Sequence, residues 1–456
     1  MDEITRRIAE YASDLKYSDL PKEVVAAAKI RLIDTLGVAL GGKDCNAVLA
    51  GKRLTGGGAP DRYPGRVLGS RSRASAESAT FVNTSMIRYL DFNDAVHGIH
   101  PSDMTGALLA LAESVGADGK RLLSSLVVAY EVGVRMAKAT QLREKGWDQG
   151  FAVGIGTAAG VGHLLGLSAE KISHAVSITC TANVPLRTSR AGALSNWKGS
   201  ATAFAARNAV FASLLAAEGV TGPDKSFEGR HGLWDLITGP FKLQPWASEG
   251  GNWIILATKL KFWPVEGNTL TIVPTALQLR EKMKADQIAS IDIDTHWSAW
   301  HETASEPEKW DPQTRETADH SMPYIFARTF TDGVITVNSY EPALAVDPAI
   351  RPLMNKIKVH NPADVEAIYK GDGSYPFTYY LRTTVVGTDG KKTVIEVKNP
   401  RGTPQNPMND DEVDAKFLGL AEPVLGKAAA EKAVRTARAI ETADKVTPML
   451  DAIVYE

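Results

Sequence analysis

Cysteine is scarce in this 456-residue sequence, which contains only Cys45 and Cys180. Two thiols cannot build a disulfide framework or a four-cysteine zinc site. A single disulfide between them stays open as an alternative. Two reduced thiols in a cytoplasmic protein are the interpretation that we favour.

Long uncharged apolar runs and an excess of one charge are also missing. No stretch approaches the roughly 20 apolar residues that a membrane-spanning helix needs. The charged start at 1–7 lacks the apolar core of a signal peptide. The 51 basic side chains nearly balance the 53 acidic ones, for a formal net charge of -2, and no basic stripe stands out. We therefore expect a cytoplasmic protein that binds neither membranes nor nucleic acid, although a local cationic pocket remains compatible with this balance.

Cofactor-binding motifs are missing as well. The glycines at 56–58 lack the Lys-Ser/Thr that follows in a phosphate-binding loop, and neither a dinucleotide fingerprint nor a nucleophile elbow occurs in the required context. We therefore expect no cofactor.

Length and periodicity indicate a mainly α protein with two domains. A chain of 456 residues is too long to fold around one compact core, and its 44% hydrophobic residues supply enough apolar side chains for a large core. Apolar periodicity predicts helices over the first two-thirds, at 75–89, 102–115, 120–139, 150–165, 168–180 and 198–218. From Trp253 onwards the pattern predicts strands at 254–262, 288–300, 356–360, 377–386 and 392–397, with helices at 268–285 and 314–330. Helices return from 410 to the end, so an α+β segment lies inside a helical protein.

The densest polar cluster is YLDFNDAVHGIHPSD, residues 89–103. Its glycine and proline predict a loop, and a loop at a helix N-terminus can hold an anion. Its two imidazoles, His97 and His100, can transfer protons near neutral pH. The alternative is an ordinary polar turn. A metal site is a weaker interpretation because neither a His-x-x-x-His helix nor a cysteine pair accompanies the histidines, and we expect no metal.

The cluster also carries a resemblance to a known family. The stretch LDFNDAVHGIHPSDMTGALLALAES is similar to the signature of the MmgE/PrpD family, which includes 2-methylcitrate dehydratase and cis-aconitate decarboxylase. Three further segments agree in order: NWKGS at 196–200, KFWPVE at 261–266 and DPQTRETADHSMPY at 311–324. Four motifs in the correct order make the resemblance specific.

The resemblance implies an all-helical domain formed by 1–265 and 405–456, a smaller α+β lid domain at 266–404, and a homodimer. It implies a lyase, most simply a metal-independent hydro-lyase, that acts on a 2-methylcitrate-like di- or tricarboxylate. Its expected catalytic residues are Asp91, His100 and Lys198. The expected substrate-binding residues are Lys261, Arg187, His97, Asn268, His320 and Tyr324.

For this reaction we expect Lys198 and Lys261 to stabilise negative charge on a substrate carboxylate. His100 is expected to transfer the proton, and Asp91 to orient it or exchange a proton itself. Arg187 and Arg190 form a further candidate clamp for an anion.

Three departures from the family pattern bear on which type of reaction we expect. Decarboxylases of this family are expected to carry a histidine in the segment at 147–150 and another at 267–269, and this sequence has neither. Ala95 stands where a threonine is expected. The two missing histidines count against a cis-aconitate-type decarboxylase, and the match of Pro264 and Glu266 to the P-x-E stretch favours a dehydratase. Methylcitrate dehydratases are also expected to carry a histidine near Asn268, so a substrate other than 2-methylcitrate stays open as an alternative. An epimerase acting α to a carboxylate and a non-catalytic binding homologue remain alternatives.

Overall fold

The structure is 59% helical, and its described residues form only small sheets, so the prediction of a mainly α fold is confirmed. The computed structural model describes residues 1–55, 62–192, 194–372 and 376–456. The glycine loop predicted at 56–58 lies outside the described residues. The chain divides into two units. Unit 1 comprises Met1–Arg190, Asn196–Thr258 and Asn409–Glu456, and unit 2 comprises Ala191–Ser195 and Lys259–Met408. The observed division after Thr258 and after Met408 differs by a few residues from the predicted domain boundaries at 265 and 404.

Unit 1 begins with helices that pack on one another. They are α1 (Glu3–Asp14), α2 (Lys22–Gly41), α3 (Asn46–Leu54), α4 (Ala76–Tyr89), α5 (Thr105–Ala112), α6 (Gly119–Thr140), α7 (Gly150–Leu165), α8 (Ala169–Ala182) and α9 (Ala201–Ala217). A short antiparallel pair, β1 (Pro64–Arg66) and β2 (Arg73–Ser75), precedes α4. Helices α6 and α7 approach closely at Gly156, where a Cβ would lie 2.7 Å from the carbonyl oxygen of Ala129. A larger side chain at this position would therefore push the two helices apart.

Unit 2 contains a four-stranded sheet with short helices around it. Its helices are α10 (Ile272–Lys282), α11 (Trp297–Thr303), α12 (Arg315–Ala318), α13 (Met322–Asp332), α14 (Pro342–Ala345), α15 (Arg351–Met354) and α16 (Ala363–Lys370). Its strands are β3 (Ile288–Thr295), β4 (Ile357–His360), β5 (Tyr380–Gly387) and β6 (Lys392–Lys398), in the order β4-β3-β5-β6. Strand β3 pairs in parallel with β4 and antiparallel with β5, which pairs antiparallel with β6. Alternate residues of β3 are buried, as expected for a strand with one face on a core.

The chain returns to unit 1 through α17 (Asp410–Leu425), α18 (Lys427–Arg438) and α19 (Thr447–Ala452). Helix α17 packs on α2 so closely that a Cβ on Gly37 would lie 3.1 Å from the Cα of Phe417. The Lys416 Nζ on α17 lies 2.7 Å from Asp34 Oδ1 on α2, and both side chains are buried. This ion pair fixes the C-terminal helices to the first part of the chain.

The prediction of a strand at 254–262 was wrong. Ile254–Ala257 form a 3₁₀ helix, and the backbone amides of Ile254 and Ile255 donate to the buried Glu131 Oε1 at 2.7 and 3.4 Å. Hydrogen bonds to a side chain distant in sequence thus replace the backbone hydrogen bonds that a strand would make in a sheet. An apolar run alone does not distinguish these structures.

Two other predicted elements are shorter than expected because polar side chains cap new helices within them. The strand predicted at 288–300 ends at Thr295, where His296 accepts a hydrogen bond from the amide of Ala299 and begins α11. The helix predicted at 314–330 is broken because Ser321 caps α13 by accepting from the amide of Tyr324.

Among the described residues, no helix combines the length and the apolar character that crossing a membrane requires.

Candidate active site

The polar cluster predicted from the sequence forms a loop between α4 and α5, and much of it is buried. Helix α4 ends at Tyr89, and Asp91 adopts a left-handed backbone conformation with φ 48°. His97 does so too, with φ 44°, in a tight turn between Val96 and Ile99, whose backbones bond to each other in both directions. Such conformations are unfavourable for side chains other than glycine, and the surrounding contacts must hold them in place.

Asp91 lies at the centre of a buried charged cluster in unit 1. Its Oδ1 lies 2.7 Å from Arg88 Nη1 and 3.6 Å from His100 Nε2, and its Oδ2 lies 3.4 Å from Lys198 Nζ. Asp91 and Lys198 are each 2% exposed. Lys198 arrives from a 3₁₀ helix, Asn196–Gly199, more than 100 positions along the chain. The structure therefore brings together Asp91, His100 and Lys198, the three residues predicted to be catalytic.

The His100 ring is oriented by hydrogen bonds at both its backbone and its side chain. Its Nδ1 lies 2.7 Å from the carbonyl oxygen of Asp94, which can only accept, so Nδ1 carries a hydrogen. In the neutral ring, Nε2 is then the basic nitrogen and faces Asp91. The His100 amide donates to Gln149 Oε1 at 2.9 Å. This arrangement is what a proton-transferring histidine requires.

Asp94 is held by donors on neighbouring segments. Its Oδ1 accepts from the amide of Ser102 at 3.0 Å, and its Oδ2 accepts from the hydroxyl of Tyr130 at 2.8 Å. Burial raises the pKa of Asp94, and these hydrogen bonds oppose the rise. Asp94 thus fixes the carbonyl that orients His100 and ties the loop to α6.

Asp103 lies on the other side of Arg88. Its Oδ1 accepts from Asn93 Nδ2 at 2.9 Å, and its Oδ2 lies 3.7 Å from Arg88 Nε. Burial raises the pKa of Asp103 to about 7, although the charge of Arg88 opposes the rise. Arg88 therefore lies between the carboxyl groups of Asp91 and Asp103. The sequence interpretation missed this residue, although its position three before Asp91, within one helical turn, was a usable signal.

A second ion pair lies beside the cluster, in the segment where the family pattern led us to look for a histidine. Asp148 Oδ2 lies 2.5 Å from Arg190 Nε and accepts from Ser189 Oγ at 3.1 Å, and Asp148 Oδ1 accepts from the amide of Gly150 at 3.0 Å. Burial by itself would raise the pKa of Asp148, but Arg190 and these donors outweigh it and lower the pKa. The sequence interpretation named Arg190 only as part of a candidate clamp with Arg187.

Arg187 and His97 are closer to the surface than Asp91. Both are half-buried. Arg187 opens the 3₁₀ helix Arg187–Arg190, and its amide donates to the carbonyl oxygen of Gly146 at 2.9 Å. Their predicted roles in binding substrate stay predictions.

The other predicted substrate-binding residues belong to unit 2. The Lys261 side chain is fully buried. Asn268 donates two hydrogen bonds to the Glu266 carboxylate, one from its backbone N–H at 2.6 Å and one from its side-chain Nδ2 at 3.0 Å. His320 Nδ1 lies 2.5 Å from Asp319 Oδ1. Tyr324 is buried, and its hydroxyl donates to the carbonyl oxygen of Ser339 at 2.6 Å.

Sequence comparison identifies the family. Residues 6–245 match the MmgE/PrpD N-terminal domain, and residues 263–442 match the MmgE/PrpD C-terminal domain. The chain belongs to the MmgE/PrpD family. The predicted resemblance is therefore confirmed over most of the sequence.

Curated relatives within the MmgE/PrpD family are lyases by name. A 2-methylcitrate dehydratase of Cupriavidus necator is 31% identical over 73% of this chain and 72% of its own length. A cis-aconitate decarboxylase-like protein of Aspergillus oryzae is 26% identical over 99% of this chain and 97% of its own. An alkylcitrate dehydratase from a fungus is 27% identical over 90% and 86%. This MmgE/PrpD chain is therefore similar to dehydratases and to a decarboxylase-like protein.

Proposed function

We propose that this chain is a metal-independent hydro-lyase that removes water from a 2-methylcitrate-like hydroxy-polycarboxylate. The observation that carries the proposal is the buried meeting of Asp91, His100 and Lys198. An acid–base imidazole next to a fixed ammonium is what elimination beside a carboxylate requires. The names of the relatives from Cupriavidus necator and the fungus support the same class of reaction.

In the proposed reaction, His100 Nε2 takes the proton from the carbon α to a substrate carboxylate. The electron pair of the broken C–H bond is first delocalised onto that carboxylate, where the Lys198 ammonium stabilises the growing negative charge. The pair then forms the C=C bond as the C–O bond to the hydroxyl breaks. The proton held by His100 passes to the departing oxygen, which leaves as water and restores the neutral ring.

Asp91 has a positioning role in this scheme. It lies between His100 and Lys198 and is fixed by Arg88 at 2.7 Å, so it sets the distance between the proton-transferring group and the ammonium. A site built within about 0.5 Å of its productive geometry needs this kind of support. Lys261, Asn268 and His320 are predicted to bind substrate carboxylates. This prediction does not depend on the roles proposed for Asp91, His100 and Lys198.

The direct experiment incubates the purified protein with 2-methylcitrate, citrate and related hydroxy-polycarboxylates and follows the ultraviolet absorbance of an unsaturated acid. We expect turnover of at least one of these compounds and its loss in His100→Gln, whose side chain keeps a polar group of similar size. A matched control is His231→Gln, which changes an exposed histidine. Equal turnover by the wild type and His100→Gln would exclude the proposed role of His100.

A decarboxylase is the second candidate, because the decarboxylase-like relative of Aspergillus oryzae covers 99% of this chain. The same panel distinguishes it, since a decarboxylase releases carbon dioxide from cis-aconitate. An epimerase would instead exchange the α-hydrogen for deuterium in heavy water without loss of water. A non-catalytic homologue would bind a polycarboxylate and change none of these compounds.

We also propose that the enzyme is a cytoplasmic homodimer. The homodimer is supported by an exposed apolar stripe that begins in the Lys198 segment and continues along α9. It is formed by Trp197, Phe204 and Phe211, which are 47%, 43% and 52% exposed. Phe204 and Phe211 are seven residues apart, so they share one face of α9. Light scattering should give the dimer mass for the wild type and the monomer mass for Phe204→Asp/Phe211→Asp. A monomeric wild type would contradict this proposal.

A further inference from the structure

Arg190 is a cation that the proposed reaction does not use, and its side chain is 11% exposed. It ends the 3₁₀ helix Arg187–Arg190, and its Nε lies 2.5 Å from Asp148 Oδ2. Asp148 is 1% exposed and is held in turn by Ser189 and the amide of Gly150. The guanidinium is therefore held in place at Nε, whereas the side chain of a surface arginine can change its conformation.

A second nitrogen of the same guanidinium, Nη2, is unsatisfied. Arg190 Nη2 is buried and has no hydrogen-bond partner among the described residues. A guanidinium carries five N–H donors in a planar fork, and leaving a buried donor of a charged group unmatched costs free energy. A fold that fixes Nε with an aspartate and leaves Nη2 unmatched is arranged to receive an acceptor from outside the chain.

The surroundings of Arg190 connect it to the Asp91 cluster. Gln149 directly follows the anchor Asp148, and its Oε1 accepts from the amide of His100 at 2.9 Å. Burial would lower the pKa of Arg190, but the carboxylate of Asp148 outweighs burial and raises it. The carboxylate of Asp91 acts in the same direction. Arg190 and His100 therefore serve one polar region of unit 1.

We propose that Arg190 binds one carboxylate of the substrate through Nη2, with Asp148 as the residue that positions it. This inference rests on the proposed function, because it takes the Asp91 cluster as the place where substrate is held. A planar guanidinium suits a carboxylate better than a neutral ligand because it combines charge with directed donors. The sequence has no histidine at 147–150, so this pair supplies the anion-binding group of that segment instead.

The test measures binding of unreactive ligands by calorimetry. Propane-1,2,3-tricarboxylate has no hydroxyl and cannot be dehydrated, and propane-1,3-dicarboxylate and propane-1,2-dicarboxylate each lack one of its carboxylates. Arg190→Lys keeps a cation for Asp148 but removes the forked donor. We expect it to weaken binding of the tricarboxylate at least about tenfold, since hydrogen bonds to charged groups have this weight. It should weaken binding of one dicarboxylate less than about twofold, namely the one that lacks the carboxylate bound by Arg190.

Two further variants keep the test interpretable. Arg230→Lys changes an exposed arginine and should bind all three ligands as the wild type does. If Arg190→Lys does not fold, Arg190→Met/Asp148→Asn removes both charges of the pair and avoids an isolated buried charge. This double variant should show the same selective loss of affinity for the tricarboxylate.

The outcomes separate this inference from the proposed function. Wild-type affinity for the tricarboxylate in Arg190→Lys, or an equal loss for all three ligands, would overturn the role of Arg190 even if the enzyme dehydrates its substrate. Failure of the wild type to bind the tricarboxylate would overturn it too. A selective loss without dehydration by the wild type would support Arg190 and remove the proposed reaction.

Discussion

The protonation of Asp103 makes stability depend on pH in a way that the structure quantifies. Burial raises the pKa of this carboxyl from 3.8 in the unfolded chain to about 7 in the folded protein. The folded state therefore holds a proton that the unfolded state has lost between these two values. The stability associated with Asp103 is fully present below pH 3.8 and is lost as the pH rises through about 7.

The size of this effect follows from the shift. One pKa unit corresponds to about 1.4 kcal/mol, so a shift of roughly three units is equivalent to about 4 kcal/mol in total. Most of it, about 3 kcal/mol, is lost between about pH 5 and about pH 8. Asp103→Asn keeps the oxygen that accepts from Asn93 but cannot ionise. The free energy of unfolding of the variant should therefore improve by about 3 kcal/mol relative to the wild type over this interval.

The assay is urea unfolding of both proteins at the two pH values, followed by tryptophan fluorescence. Asp148→Asn is a matched control, because Arg190 keeps the pKa of Asp148 below its ordinary value. That carboxylate is ionised in both states across the interval, so the difference between Asp148→Asn and the wild type should be constant. A difference between Asp103→Asn and the wild type that is the same at both pH values would refute the assignment of a buried, proton-binding Asp103.

Three further predictions concern single cations and the proton-transferring group. Lys198→Met should lower kcat/KM by about 100- to 1,000-fold, as loss of a stabilising charge does, with Lys198→Arg less severe; an unchanged kcat/KM would exclude its role. His100→Gln should remove the pH dependence of kcat along with most of the turnover, measured across pH profiles of the two proteins, and an unchanged profile would assign the proton transfer elsewhere. Lys416→Met should lower the free energy of unfolding by about 3–5 kcal/mol, because it leaves Asp34 buried without its cation; an unchanged urea midpoint would show that this ion pair is not stabilising.

Sequence periodicity predicted the long helices well because burial of one face decides their position. The helix at 150–165 was predicted with both ends correct, since Gly166 terminates it in a left-handed conformation that glycine adopts readily. The segment at 254–262 was not predictable in this way. Its conformation depends on Glu131, a carboxylate more than 120 positions away, and local pattern carries no information on such a partner.

The candidate site shows the same division between local and distant signals. Asp91 and His100 share one motif, and the resemblance to the MmgE/PrpD family supplied Lys198, which no spacing rule connects to them. The pairing of Arg190 with Asp148, which lies 42 positions before it, became visible only from the fold. Arg187 and Arg190 look equivalent in the sequence, and only the fold shows that Arg190 is the one whose Nε contacts Asp148.

In the proposed reaction, the Asp91 carboxylate positions the imidazole of His100 and the ammonium of Lys198 for elimination beside a substrate carboxylate. The most direct test is the turnover of the preferred hydroxy-polycarboxylate by Asp91→Asn, which keeps the shape of the side chain and removes its charge. Asp44→Asn, at an exposed aspartate, serves as the control. We predict that Asp91→Asn folds and loses at least about a thousandfold in kcat/KM, within the range seen for misoriented catalytic histidines. Turnover within a few-fold of the wild type would contradict the account.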